Sequence, residues 1–255
     1  MKPKRVNILG VGVSAVDLPL ALDTIEDWIA RRQPNYVCVR DVHGVVESQR
    51  DETLRRIHNH AGMVTPDGMP LVWISKLKGN QHVDRVYGPD LMLALCERSL
   101  EKGYRHFFYG GAAGVPERLA QRLKQRFPEL QIAGVHSPPF RPLTQAEDEA
   151  ITRKINDSQA DIVWVGLSTP KQEKWMAAHV DRLESCVLLG VGAAFDFHAG
   201  IKRQAPRWIQ RSGFEWLYRL VTEPRRLGRR YLINNPLFIF LFTLQLLGLR
   251  KYSIE

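Results

Sequence analysis

The feature that most constrains this chain is a regular alternation of short β-branched runs with amphipathic stretches. Val6–Val13, Tyr36–Val39, Met63–Val64, His106–Tyr109, Gln131–Val135, Ile162–Gly166 and Cys186–Gly192 read as strands. Between them Leu18–Arg32, Gly44–Ala61, Met69–Lys78, Asp90–Lys102, Val115–Phe127, Thr144–Ser158 and Pro170–Val180 read as helices. Strands separated by helices pair side by side in parallel, so the pattern predicts an α/β fold: a mainly parallel sheet with helices on both faces. Ligands of such sheets gather in the loops at the carboxyl ends of the strands. A chain of 255 residues, 44% of them hydrophobic, suffices for one sizeable core with an appendage.

The pattern changes near residue 200, which predicts a core over 1–200 and an appendage over 201–255. Charge marks the change. From Lys202 to Arg230 there are nine Lys or Arg against two Glu, so this segment carries a surplus of seven out of the chain's net +9. Such a block points to phosphates, whether on nucleic acid, anionic lipid or a nucleotide-sugar; the alternative is a solvated basic face. Leu237–Leu249 is almost wholly apolar, but its 13 residues fall short of the roughly 20 needed to span a bilayer. It reads as a helix lying on an anionic leaflet, or equally as a core or oligomer-interface helix. Cys38, Cys96 and Cys186 have no metal spacing and stand in apolar sequence, as buried thiols of a reducing compartment do. The apolar run after the basic N-terminus is too short for a signal peptide, and Asp17 breaks its continuation, so a cytoplasmic protein is expected.

Four loops follow expected strands. Gly10–Ala15 fits a G-x-G-x-x-A dinucleotide fingerprint, which needs the glycines to open into a helix; Asp17 and Pro19 set the helix start later, so a tight turn is the better reading. Tyr109–Gly114 brings Gly110, Gly111 and Gly114 to a helix that starts with Pro116, where free N–H groups would meet a diphosphate. Gly166–Gln172 ends on Gln172, able to donate to and accept from a sugar or uracil. Gly190–Asp196 places Gly192 where a ligand could approach the backbone closely. Asp67 lies in a Pro-Asp-Gly turn after a short strand, where a plain turn and a catalytic carboxylate are both open. His43, His136 and His198 lack metal spacing and read as loop or surface residues, and no Asp-x-Asp pair is present. Leaving-group charge would then fall to Arg, Lys and helix N-termini.

The run Asp161-Ile-Val-Trp-Val-Gly-Leu-Ser-Thr-Pro-Lys-Gln-Glu-Lys-Trp175 strongly resembles a signature of the WecG/TagA/CpsF glycosyltransferases, also called glycosyltransferase family 26. Gly190-Val-Gly-Ala-Ala-Phe-Asp-Phe-His-Ala-Gly200, Ala205–Trp208, Glu215–Leu220 and Glu223–Leu227 resemble further stretches of that family in the same order, and the likeness runs from the first strand to about Pro236. The resemblance implies a Rossmann-like core whose C-terminal appendage joins the active site at the cytoplasmic face of the membrane. It implies inverting, metal-independent transfer of a sugar from a UDP-sugar to a polyprenyl-diphosphate-linked saccharide, in the synthesis of exopolysaccharide, teichoic acid or common antigen. No cofactor and no nucleic-acid partner is expected. Self-association through Leu237–Leu249 is expected when no membrane is present.

Position by position, the resemblance makes Asp67 the base, Arg85 a pocket arginine and Gln172 a donor-site glutamine. Arg219, Arg226 and Arg229 become tail arginines reaching the diphosphate of donor or lipid acceptor. One departure stands out. After the second strand the family commonly reads Thr-x-Asn, whereas this chain has Val39–Arg40–Asp41, so Asp41 brings a negative charge to a donor-binding position. The competing hypotheses are a nicotinamide-dependent oxidoreductase using the Gly10–Ala15 loop, and a non-enzymatic nucleic-acid or lipid-binding module built on the tail.

Overall fold

The structure, a computed structural model, describes residues 3–184 and 186–254. In chain order its elements are β1 (Arg5–Ile8), β2 (Val11–Ser14), α1 (Leu18–Ala30), β3 (Asn35–Arg40), α2 (Val42–Arg50), α3 (Glu52–His60), β4 (Met63–Pro66), α4 (Met69–Leu77), α5 (Gly88–Lys102) and β5 (Arg105–Gly110). They continue as α6 (Val115–Arg126), β6 (Gln131–His136), α7 (Gln145–Asp157), β7 (Ile162–Gly166), α8 (Lys171–His179), β8 (Val187–Gly190), α9 (Ala194–His198), α10 (Arg207–Ser212), α11 (Glu215–Thr222) and α12 (Pro224–Leu246). A six-stranded sheet has the order β4-β3-β8-β7-β5-β6, and its pairings from β3 to β6 are parallel. The α/β fold with helices flanking a parallel sheet is as the alternation predicts.

Two expectations need correction. Val6–Val13 is not one strand of the main sheet but a separate antiparallel hairpin, β1 with β2, paired Ile8 to Val11. Leu9 and Gly10 both have positive φ, 51° and 77°, the backbone of a two-residue turn whose twist suits a hairpin. Gly10 therefore turns a hairpin and Gly12 lies within β2, so the Gly10–Ala15 loop does not open into a helix as a dinucleotide fingerprint requires. The second correction concerns Gly44–Ala61, which is two helices. Asp51 ends α2 in extended backbone, and its carboxylate accepts from Leu54 N to cap α3.

Contacts divide the chain into two compact units: Pro19–Cys38 with Gly88–Arg203, and Lys2–Leu18 with Val39–Tyr87 and Gln204–Glu255. In the first, β5 and β7 bury Phe107, Phe108, Tyr109 and Trp164 almost completely. Three buried polar side chains there form a chain of bonds: Trp164 Nε1 donates to His106 Nδ1 at 2.9 Å, and His106 Nε2 meets Ser99 Oγ at 2.9 Å. Burial lowers His106 to about 3, so the neutral ring joins the chain of bonds without the cost of a buried charge. Cys38, Cys96 and Cys186 are buried free thiols.

In the second unit α12 buries Leu227, Tyr231, Asn234, Phe238 and Leu241, an alternating four-and-three spacing that makes one seam against α2. Pro236 falls on its solvent side, where the lost backbone bond can be replaced by water. After the helix the chain returns to the hairpin: Gln245 Oε1 accepts from Leu9 N at 3.0 Å, and Asn7 Nδ2 donates to Tyr252 O at 2.6 Å. Leu232, Ile233, Ile239, Phe240, Leu246 and Leu247 remain exposed on α12 and just after it. Among the described residues, no helix is long and apolar enough to cross a membrane.

Candidate active site

Asp67 and Gly68 leave β4 in a turn fastened to the end of β3: both amides donate to Arg40 O, at 2.8 and 3.2 Å. A Cβ on Gly68 would stand 3.3 Å from Asp41 Cα, so the small residue brings the two acidic positions together. Both line a cavity of about 370 Å³, with Arg85, Glu215 and Arg219 as its other charged residues and Met69, Pro70, Trp73, Trp216, Phe238 and Ile239 as its apolar wall.

Arg85 organises the charged side. Its Nε donates to the Asp67 carbonyl, Nη1 to Gln210 O at 3.0 Å, and Nη2 lies 3.1 Å from Asp67 Oδ1 and 2.7 Å from Glu215 Oε2. The guanidinium stacks over the Tyr87 ring, 4.2 Å from its centroid, while Tyr87 Oη donates to Glu215 Oε1 at 3.1 Å. One planar cation thus serves two carboxylates and two carbonyls, which an ammonium could not do with the same geometry. Asp67 nevertheless has its pKa raised to about 6. Burial is the main cause, helped by the negative charges of Glu215 and Asp41 and opposed by Arg85. A carboxylate so poised can take up a proton near neutral pH, which an ordinary exposed aspartate does poorly.

Asp41 is held the opposite way. Burial works to raise it, but the charges of Arg230, His43 and Arg40 and the Gly44 amide outweigh burial and hold it far below the usual range. It caps α2 through Gly44 N at 3.0 Å and pairs with Arg230 Nη2 at 2.7 Å. His43, expected in a loop or at the surface, instead lies in the first turn of α2 and lines the cavity, with Nδ1 2.6 Å from Asn234 Nδ2. The cause is the break after Arg40: Asp41 starts α2 there, which turns residue 43 inward. Burial first, then the charge of Arg230, lowers His43 to about 4, so it is neutral at pH 7.

Of the expected site residues, Asp41, Asp67, Arg85 and Arg219 thus meet at one cavity. Arg226 and Arg229 do not line it. Both are exposed on α12, Arg226 pairing with Glu223 at 2.6 Å. Gly110, Gly111, Gly114, Gln172 and Gly192 lie in the other unit, Gly110 as the last residue of β5 and the rest after β5, β7 and β8. Gly110, at φ 127°, already needs to lack a Cβ because one would meet the Gly166 backbone at 2.7 Å, and Gly111 N donates to Gly166 O at 3.0 Å. Gly114 is the left-handed N-cap of α6. Gln172 is buried; its Nε2 donates to Glu173 Oε1 at 2.8 Å, and its Oε1, unpartnered, faces the place a Cβ on Gly192 would take. His136 ends β6, and His198 in α9 is bonded to Pro89 O at 2.9 Å.

Sequence reasoning missed Glu215, Tyr87, Trp73 and Arg230. Glu215 had a signal, since an acid among nine bases needs a reason; Arg230 had none, because its partner is 189 residues away. Among the described residues no group of three or more His, Cys, Asp or Glu is arranged to hold a metal ion.

A Rossmann-like parallel sheet, together with a cavity where one carboxylate is poised to accept a proton among arginines, defines an α/β group-transfer enzyme. Residues 6–252 match the Glycosyl transferase WecG/TagA/CpsF family, and the chain belongs to it. It is a glycosyltransferase. It is similar to the N-acetylglucosaminyldiphosphoundecaprenol N-acetyl-beta-D-mannosaminyltransferase of Staphylococcus aureus strain NCTC 8325 / PS 47, at 26% identity over 92% of this chain and 91% of that protein. The proteins of the same name from strains COL and MRSA252 share the same identity and coverage.

Proposed function

We propose that this enzyme transfers a sugar from a UDP-sugar to a polyprenyl-diphosphate-linked saccharide in cell-surface polysaccharide synthesis, with inversion and without a metal. The observation that carries the reading is Asp67, raised to about 6 in a cavity it shares with Arg85, Glu215 and Arg219. The names of the Staphylococcus relatives, which specify a diphosphoundecaprenol-linked acceptor, support the acceptor class. In the reaction the acceptor hydroxyl oxygen bonds to the anomeric carbon as the bond from that carbon to the diphosphate oxygen breaks. UDP departs with the electron pair, and the hydroxyl proton passes to the Asp67 carboxylate. Arg85 keeps that carboxylate in place. Arg219 stands where negative charge develops on the leaving diphosphate, a task for which guanidinium groups are suited.

The glycine loops at Gly110–Gly114 and Gly192 serve the donor nucleotide, and the unpartnered Gln172 oxygen suits a ligand N–H such as that of uracil. The segment 201–255 is the appendage that holds the enzyme on the inner face of the membrane. Exposed Arg225, Arg226 and Arg229 and the apolar side chains Leu232, Ile233, Ile239 and Phe240 share α12, a combination that favours an anionic interface. The test is UDP release from a panel of UDP-sugars with a synthetic polyprenyl-diphosphate saccharide. Release that requires both substrates is expected. Release that is indifferent to the lipid-linked acceptor would overturn the acceptor class.

A further inference from the structure

Between Lys202 and Arg230 the tail has nine bases and two acids. Glu223 pairs with Arg226 at 2.6 Å, one turn further along the chain. Glu215, the first residue of α11, turns inward instead, keeps only 11% of its side-chain surface exposed and meets Arg85. Taking a carboxylate out of water is unfavourable unless its partners offset the loss, so an acid beside the base calls for a reason.

Asp67 and Glu215 compete for one cation. Arg85 Nη2 lies 2.7 Å from Glu215 Oε2 but 3.1 Å from Asp67 Oδ1, where full-strength charge-assisted bonds are about 2.7–2.9 Å long. The pairing with Glu215 is the closer one, and Asp67 Oδ2 accepts from none of the described residues. Tyr87 holds this arrangement from behind. Its ring lies against the Arg85 guanidinium, 4.2 Å from centroid to Cζ, and its hydroxyl donates to Glu215 Oε1 at 3.1 Å. Burial first, then the negative charges of Glu215 and Asp67, keep that hydroxyl protonated, so it serves as a donor throughout. An arginine given wholly to Asp67 would favour the ionised carboxylate and make it a poor proton acceptor.

We infer that Glu215 is a positioning residue for the base: it draws Arg85 toward itself, so that Asp67 is oriented yet left able to take the proton of the acceptor hydroxyl. This role rests on the proposed transferase function. Because Glu215 opens α11, the readiness of a base in the turn after β4 is set by the tail as well as by the turn that bears it. The other charged groups nearby are held independently. Asp41 also faces Asp67, but Arg230 pairs with it, Arg40 adds a second positive charge, and His43 beside it is neutral. Arg219 and Tyr231 face Glu215 from α11 and α12. All of these remain when Glu215 alone is neutralised, so a change at Asp67 then reports Glu215.

The test titrates Asp67 in the full chain of wild type, Glu215→Gln and Glu215→Asp. Carboxyl NMR, with the resonance assigned by Asp67→Asn, is read beside the acid limb of kcat/KM for UDP release with a lipid-linked acceptor. Glutamine keeps the length of the side chain and an acceptor for Tyr87 but gives up the charge. Asp67 is expected to titrate near 6 in wild type and to fall in Glu215→Gln toward about 4, an ordinary aspartate value, with the acid limb moving alongside. The rate above that limb falls roughly 10-fold, less than the roughly 10²- to 10⁴-fold that general-base catalysis supplies, because the base is weakened and not removed. Glu215→Asp, with the charge kept on a shorter arm, titrates above Glu215→Gln. An unshifted titration in Glu215→Gln overturns the role even when the rate drops, since Glu215 would then only fasten α11 or touch substrate. A Glu215→Asp enzyme that titrates no higher than Glu215→Gln overturns it too. The NMR titration needs no turnover: expected shifts without consumption of any UDP-sugar would leave the hold of Glu215 on Arg85 in place and overturn the transferase reading alone.

Discussion

At the scale of residues, two aspartates a few ångströms apart are driven in opposite directions. Asp67 is raised because burial and its acidic neighbours outweigh Arg85, and Asp41 is lowered because its neighbours Arg230, His43 and Arg40 and a helix amide outweigh burial. The raised value has a cost in stability. Between about pH 4 and 6 the folded protein holds a proton that the unfolded chain has released, so this group's contribution to stability falls as pH rises through that window. Asp67→Asn removes the penalty and raises stability at neutral pH by up to roughly 3 kcal/mol, read as a higher denaturation midpoint. Arg85→Lys acts in the other direction. It keeps the charge but abandons the fork to Asp67, Glu215 and Gln210, and is expected to cost about 1–3 kcal/mol together with most of the activity, measured by chemical denaturation and UDP release. The Pro-Asp-Gly turn was legible from sequence, but the environment of Asp67 was not: Arg85 and Glu215 come from positions 18 and 148 residues further along.

At the scale of elements, the sequence was most informative where apolar spacing was long and uninterrupted. The helices from α5 to α8 and strands from β5 to β8 fall where expected to within two residues. It was least informative at Leu9–Gly10, because a leucine in left-handed backbone gives no turn signal of its own. It also failed at Asp51, where one helix cap inside a polar, helix-like stretch separates α2 from α3. The apolar Leu237–Leu249 run was visible, but not that it continues a basic first half into one 23-residue helix. The two sides of α12 are separable by mutation. Phe238→Ala on the buried seam is expected to lose about 3–5 kcal/mol in a denaturation experiment. Phe240→Ser together with Ile239→Ser on the exposed side leaves stability within about 0.5 kcal/mol, while lowering retention on liposomes containing anionic lipid. Equal retention by that double variant would deny the exposed side a role at a membrane.

For the molecule as a whole, the charge surplus in Lys202–Arg230 was plain from composition, and what it could meet was not. One cavity collects Asp41, Asp67, Arg85 and Arg219 from segments far apart in sequence, whereas the glycine loops after β5, β7 and β8 belong to the other compact unit. Only tertiary contacts make that partition, so periodicity could not reveal it. The appendage reading makes a prediction at this scale: removing 201–255 takes away Glu215 and Arg219 as well as α12, and so is expected to abolish transfer and liposome binding together. Transfer depends above all on the base, Asp67. The direct measurement is the pH dependence of kcat/KM for UDP release, in wild type and Asp67→Asn, with a lipid-linked acceptor. Wild type is predicted to rise with pH through about 6 as Asp67 ionises, and Asp67→Asn to lose that limb and roughly 10²- to 10⁴-fold of the rate. An Asp67→Asn enzyme that turns over as fast as wild type, with the same acid limb, would contradict it.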